Sequence, residues 1–347
     1  MCLSLFSMLA FSQNDVGKFL QGGQADANKV IKAYMQPYAF ALGDGLNNGW
    51  FSSAKTHSLF GFDLTVGVSG VQIPNSSKTF DLNSLHLTNM VVKTGGNIAP
   101  TVAGSKTAAD PVIGVNDSHG NEIINFKSPQ GTGLDLVPVP MVQIGFGLLP
   151  HTDLIGRFVP DIKYNNNGNN MKIGLWGIGA KHNFMEWIPV LNKLPFDASL
   201  FASYSVVNGE SGLHLPTSDY SSNPNIRIET FNTDGQVLKL KTQSSKFGLI
   251  VSKKIAILTV FGAIGNSTSK SNVDLLGIYP VVATTSAGGF EVTQQGALKN
   301  PIALSYRTSN VSMEAGLRVK ITLLSLFASI SKSEYTAYNL GLSLGFR

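Results

Sequence analysis

Residues 311–347 read VSMEAGLRVKITLLSLFASISKSEYTAYNLGLSLGFR, with apolar residues at every second position over most of the stretch. Val311, Met313, Ala315, Leu317, Val319 and Ile321 alternate with Ser312, Glu314, Gly316, Arg318, Lys320 and Thr322. Leu324, Leu326, Ala328 and Ile330 then alternate with Ser325, Phe327, Ser329 and Ser331. The chain closes with Tyr338, Leu340, Leu342, Leu344 and Phe346 set against Asn339, Gly341, Ser343, Gly345 and Arg347. A period of two puts each apolar set on one face of a strand. The joins at Leu323 and at Ser333-Glu334 are short, so the three strands form an antiparallel meander. Alternation alone does not choose between a sheet that faces lipid and one that covers a soluble core.

The same period marks runs at about 57–73, 84–93, 134–147, 153–163, 171–184, 196–208, 236–253 and 255–266. Short joins alternate with long polar ones, Thr94 to Thr132, Asn208 to Gly235 and Asn266 to Asn310. That asymmetry is expected of a transmembrane barrel, with short turns on one side and long loops on the other. A β-sandwich with large insertions is the alternative. Only 14% of residues are Asp, Glu, Lys or Arg, against about 25% in an ordinary soluble domain. No apolar run reaches the ~18 residues of a membrane-spanning helix. The expectation is an all-β, antiparallel outer-membrane barrel. Its last strand, Tyr338-x-Leu340-x-Leu342-x-Leu344-x-Phe346, resembles the aromatic-ended strand that outer-membrane assembly machinery reads, here with Arg347 last.

The N-terminal part differs. Residues 1–13, MCLSLFSMLAFSQ, resemble the end of a secretory signal peptide, although no Lys or Arg precedes the apolar stretch. Cys2 is the sole cysteine, which leaves no disulfide framework or thiolate metal site within the chain. Val30, Ile31, Tyr34 and Met35 are spaced for one helical face, with Pro37 interrupting the helix and Gly43 and Gly45 ending it. Residues 14–55 are therefore expected to form a helical plug, ahead of a barrel over 56–347. On that plug Phe40, Leu46, Trp50 and Phe51 are candidates to line an apolar ligand pocket, or else to hold the plug in place.

Chemistry is sparse. The six histidines lack metal-ligand spacing, and no nucleophile elbow, phosphate loop or dinucleotide fingerprint occurs. No cofactor, metal, catalytic set or nucleic-acid interface is expected, and the chain does not read as an enzyme. Asp110, Asp117 and Glu122 fall in a Gly/Asn-rich stretch that reads as a solvated loop. Glu314, Arg318 and Lys320 point into the lumen if the alternation holds, and pairing is their expected role. Pro138 and Pro140 stand inside a strand, where each removes a ladder donor. In a closed wall they imply either a lateral opening or a bulge near the rim.

Three segments carry a resemblance to the FadL-type outer-membrane transporter superfamily: Ala25 to Lys55, the strand His57-Ser58-Leu59-Phe60-Gly61-Phe62-Asp63, and the hairpin ending Leu154-Ile155-Gly156-Arg157-Phe158-Val159-Pro160. It looks nearest to a branch found in Bacteroidota. The resemblance implies about 12–14 strands, an N-terminal hatch, and passive passage of fatty-acid-like molecules through a lateral exit into the bilayer. The implied partners are membrane lipid and a hydrophobic ligand. The competing expectation is an accessory barrel that binds other outer-membrane proteins through its long extracellular loops.

Overall fold

The computed structural model describes residues 19–20, 22–107, 111–116, 119–166, 169–213, 235–287 and 290–346. Residues 1–13, Asp110, Asp117 and Arg347, each given a role above, lie outside the described residues. The described part holds one long helix, α1 (Gly23–Asn47), and seventeen strands. Ten of these strands close into an antiparallel barrel. They are β1 (Phe62–Gln72), β7 (Leu136–Leu149), β8 (Thr152–Asn166), β9 (Asn169–His182), β10 (Asp197–Gly212), β11 (Val237–Ile255), β12 (Leu258–Leu276), β15 (Ile302–Ile321), β16 (Leu324–Lys332) and β17 (Thr336–Phe346). Closure runs through β1, which pairs with β17 on one side and β7 on the other.

Ten wall strands replace the 12–14 implied by the resemblance. The remaining strands build small sheets within the long connections. β2 (Thr79–Asp81) pairs with β4 (Ile98–Pro100). β3 (Met90–Thr94), β5 (Val112–Asn116) and β6 (Glu122–Lys127) form a three-stranded sheet, so the run at 84–93 contributes no wall strand. β13 (Ile278–Ala287) and β14 (Phe290–Lys299) form a separate hairpin. The stretch expected as one loop from Asn266 to Asn310 is largely strand, because β12 and β15 pair as far as Leu275 and Ile302.

The connections 73–135, 213–236 and 277–301 leave the same rim, here called the long-loop rim. At the other rim β7–β8, β11–β12 and β15–β16 turn in two residues each, and His151, Ala256 and Thr322 take positive φ of 58°, 54° and 54° to do so.

Burial reveals which face is which. Leu324, Leu326, Ile330, Leu340, Leu342 and Leu344 are about half exposed on the outer face, while Ser325, Ser329, Ser331, Asn339 and Ser343 are buried inside. Exposed apolar surface of this extent marks an interaction face rather than an ordinary solvated one. On β11 the outward series is apolar from Phe247 to Ile255, apart from Lys253, and polar from Lys239 to Ser245. Nine residues at ~3.3 Å rise and ~40° tilt give a band of roughly 23 Å.

The helix α1 fills the lumen, with β1, β7, β10, β11, β12 and β15 around it. It starts at the long-loop rim, where buried Asp26 accepts hydrogen bonds from the backbone N–H groups of Thr88, Asn89 and Met90 at 2.7–3.0 Å. It does not stop at Pro37 or at Gly43 and Gly45. Pro37 lacks the N–H that would bond Ala33, but it is buried and packing holds the helix through it. Gly43 and Gly45 are close-approach positions instead. A Cβ on Gly43 would meet the Ser269 side chain, and one on Gly45 would meet Val139. In its upper part the lumen is apolar: Val30, Ile31, Tyr34 and Leu42 pack on Val71, Val137, Ile173, Val207, Val273 and Leu304.

The loop layer over the helix start is tied down by Asp26 and by Lys78, whose Nζ lies 2.6 Å from Asp135 and holds that carboxyl below the usual range. Asp26→Ala will remove the acceptor of three backbone donors, the Met90 N–H among them buried, and lower stability by about 2–3 kcal/mol. Urea unfolding of the refolded chain measures this, and a change below a few tenths would contradict it.

Candidate functional site

Two features of the wall and plug stand out. The first is a break in the ladder between β7 and β8. Their pairing covers only Gln143 to Leu149 against Arg157 to Thr152. Residues 136–142 of β7 pair with β1 alone, and residues 158–159 and 162–166 of β8 pair only across to β9. The chemistry of the break lies in the prolines. Gly147 donates its N–H to Gly61, just ahead of β1. The alternation of an antiparallel ladder then turns the nitrogens of Pro138 and Pro140 toward β8. Continuing the lower register would set Pro140 opposite Pro160, so neither strand offers a donor there. A bulge between Val159 and Ile162 bends β8 away at the same level.

Behind this seam lies a small cavity of about 20 Å³ with a wholly apolar lining. Leu42 of α1 forms its back, Val139 and Pro140 one jamb, Val159 and Ile162 the other, with Ile173, Leu175 and Val207 beside them. The unpaired stretch begins within the outer apolar band, where Val142 and Phe158 are exposed, and runs to the long-loop rim.

The second feature is a polar latch on the segment after α1, at the short-turn end. Arg157 is fully buried; it donates to Leu46 O (3.1 Å), Asn48 O (3.0 Å) and Gln143 Oε1 (3.1 Å), and its guanidinium lies 4.0 Å from the Trp50 ring centroid. Lys181 donates to Ser53 O (3.0 Å) and Lys55 O (2.9 Å) and pairs with Asp153 at 3.2 Å. Asp153 also accepts the His57 backbone N–H at 2.8 Å, and the His57 ring lies 3.1 Å from it and 3.6 Å from Asp63. Irregular backbone inside a barrel has no water-rich surroundings, so wall side chains satisfy its carbonyls. A Cβ on Gly179 would come within 3.0 Å of the Trp50 ring, so glycine there makes room for the stack.

The residues singled out from sequence separate. Leu46 and Trp50 are buried beside Arg157, and Trp50 and Phe51 line a cavity of only about 30 Å³ in the latch. The Phe51 ring packs at a tilt on Phe201, centroids 4.9 Å apart. Phe40 sits higher, between Tyr306 and Tyr335. The four therefore share no ligand pocket among the described residues. Pro138 and Pro140 both fall on the seam. Glu314 lies 3.4 Å from Lys246 and accepts from Ser329 at 2.7 Å. Arg318 donates to Ser52 and Ser325 hydroxyls. Lys320 is half-buried at the short-turn rim, where its backbone N–H bonds Ile257 O. Arg157 and Pro160 entered the sequence reading only as part of the resemblance, and no site role was read for them or for Lys181 and Asp153, although strand parity turns Arg157, Lys181 and Asp153 inward.

Among the described residues no group of three or more His, Cys, Asp or Glu is placed to hold a metal. Nor is any helix among them long and apolar enough to cross a membrane, which says nothing of strands.

Solved structures similar to this one are outer-membrane barrels. They include the outer membrane protease OmpT of Escherichia coli, at 11% identity over 85% of this chain and 100% of that one (TM-score 0.33). Another is the attachment invasion locus protein Ail of Yersinia pestis, at 8% identity over 83% and 100% (0.26). The toluene transporter TodX of Pseudomonas putida matches at 9% over 87% and 78% (0.25). At these scores the likenesses carry no argument about activity. No curated protein sequence matches. A family model described as "Family of unknown function (DUF6588)" matches residues 1–346, and the chain belongs to that family.

Proposed function

We propose that the protein is an outer-membrane barrel that lets small hydrophobic molecules pass passively from the long-loop side, along α1, and sideways into the bilayer through the β7–β8 seam. The observation that carries this is the conjunction of an unpaired wall with an apolar cavity behind it. A backbone without ladder partners is tolerated at membrane depth only where something else covers it. Here the donors are removed by proline and the gap is lined by hydrocarbon, which suits an apolar solute. The route avoids the latch, so the lower lumen stays shut to ions while the upper part works. No chemical step is needed.

Two consequences can be measured. Leu342→Arg, at the middle of the outer apolar band, will destabilise the vesicle-inserted protein by about 2–4 kcal/mol, whereas Ser305→Arg, on the polar outer row, will have little effect. Urea unfolding from vesicles distinguishes them, and equal effects would count against membrane embedding. For transport, a Gram-negative host making the protein will take up radiolabelled oleate faster than the same host making none. Equal rates of oleate uptake by the two hosts would sink the uptake reading.

A second reading draws on the loops. β2–β6 and the β13–β14 hairpin give the long-loop rim ordered sheets of its own, and α1 blocks the lumen. An accessory barrel that docks another outer-membrane protein on that rim fits those facts. Stoichiometric co-purification of one such protein, lost on removal of the β13–β14 hairpin, would favour it.

A further inference from the structure

We propose that Lys270 and Arg307 bind the phosphate of a phosphorylated glycolipid head group against the outer wall, an inference that rests on the membrane reading above. The outward side chains of β11, β12 and β15 fall in rows across the sheet. Leu249, Ile264 and Met313 form an apolar row, with Phe247, Asn266 and Val311 above it. Next toward the long-loop rim comes a hydroxyl row of Ser245, Thr268 and Ser309, joined by Tyr204 of β10. Immediately above it stand Gln243, Lys270 and Arg307.

The two cations are cross-strand neighbours, and neither has an ion pair with a carboxylate among the described residues. Like charges set directly opposite destabilise a sheet unless an anion joins them. The acids on this face lie nearer the rim, where Lys239 stands opposite Asp274 and 3.4 Å from Glu210. Lys270 and Arg307, with the hydroxyl row, line an open cleft of about 490 Å³. The Gln243 amide donates to the Tyr204 oxygen at 2.7 Å, which leaves the phenolic hydrogen free to point outward. Below the cleft the wall is apolar, so acyl chains lie along Phe247 and Met313 while the phosphate meets both cations. A bidentate guanidinium and an ammonium over hydroxyl donors form a phosphate site, at the depth where the head groups of the outer leaflet lie.

The test uses the full chain in phosphatidylcholine vesicles doped with bisphosphorylated lipid A. After mild detergent extraction, mass spectrometry counts the lipid A retained per barrel. Wild type will retain lipid A, K270E/R307E will retain about tenfold less, and lipid A stripped of phosphate will be retained no better by wild type than by the variant. Both positions are exposed or half-buried on the outer wall, and heat-dependent gel mobility verifies that each protein has folded and inserted. Insertion of both proteins with equal retention overturns the site alone, as does equal retention of the two lipids. Failure of wild type to insert overturns the membrane reading and the site with it.

Discussion

Replacing Arg157 by alanine will lower the unfolding free energy by about 3–5 kcal/mol, because several buried acceptors lose their donor at once. Leu46 O belongs to the last turn of α1, where unsatisfied carbonyls concentrate negative potential. Asn48 O and the Gln143 side chain face the same guanidinium, and the Trp50 ring loses its cation. The lower end of the plug will also come loose, so planar-bilayer conductance, near zero for wild type, will show open events. Arg157→Lys keeps the charge but not the planar fork and will recover only part of the stability. A variant as stable and as tightly closed as wild type would show that the latch does not hold the plug.

Joining the strands across the seam will abolish uptake. Cysteines at Pro140 and Pro160, in a Cys2→Ser background, stand opposite in the continued register. They bridge only if the two Cα atoms come to about 5.5 Å. The oxidised protein will fall to the background uptake rate, and reduction will restore it. Replacing the same prolines by alanine separates the bridge from the loss of proline. Restored N–H groups let the ladder continue, each new hydrogen bond adding about 1 kcal/mol, so P140A/P160A will be more stable and slower in uptake. Undiminished uptake by the oxidised protein would place the exit elsewhere.

The wall was legible to a large degree because an apolar outer face set against buried hydroxyl and amide groups on the inner face gives period two. All three C-terminal runs and seven of the upstream ones coincide with wall strands. The run at 84–93 did not, since period two cannot tell a wall strand from one in a loop sheet, and only Met90 to Thr94 form strand there. The upper halves of β12 and β15 were hidden for a related reason. Above the apolar band the outward residues are Asn266, Thr268, Lys270, Arg307 and Ser309, so both faces look polar or mixed and read as loop. Gly43 and Gly45 read as helix stops because their role depends on Ser269 and Val139, far along the chain. Pro138 and Pro140 announced a weak wall. That Pro160 faces them follows only from topology. The latch was invisible for the same reason: Arg157 and Lys181 bind backbone carbonyls, which leave no signature in sequence.

The most direct test is to photolyse a diazirine-bearing fatty acid with the protein in bilayers and to map the labelled residues by mass spectrometry. Leu326 and Leu342 on the outer face will be labelled in any embedded barrel. Further labels will fall on Leu42, Val139, Ile173 and Val207, behind the seam and out of reach of bulk lipid, and will be lost in the oxidised P140C/P160C protein. Labels confined to the outer face, unchanged by the bridge, would contradict passage through the wall.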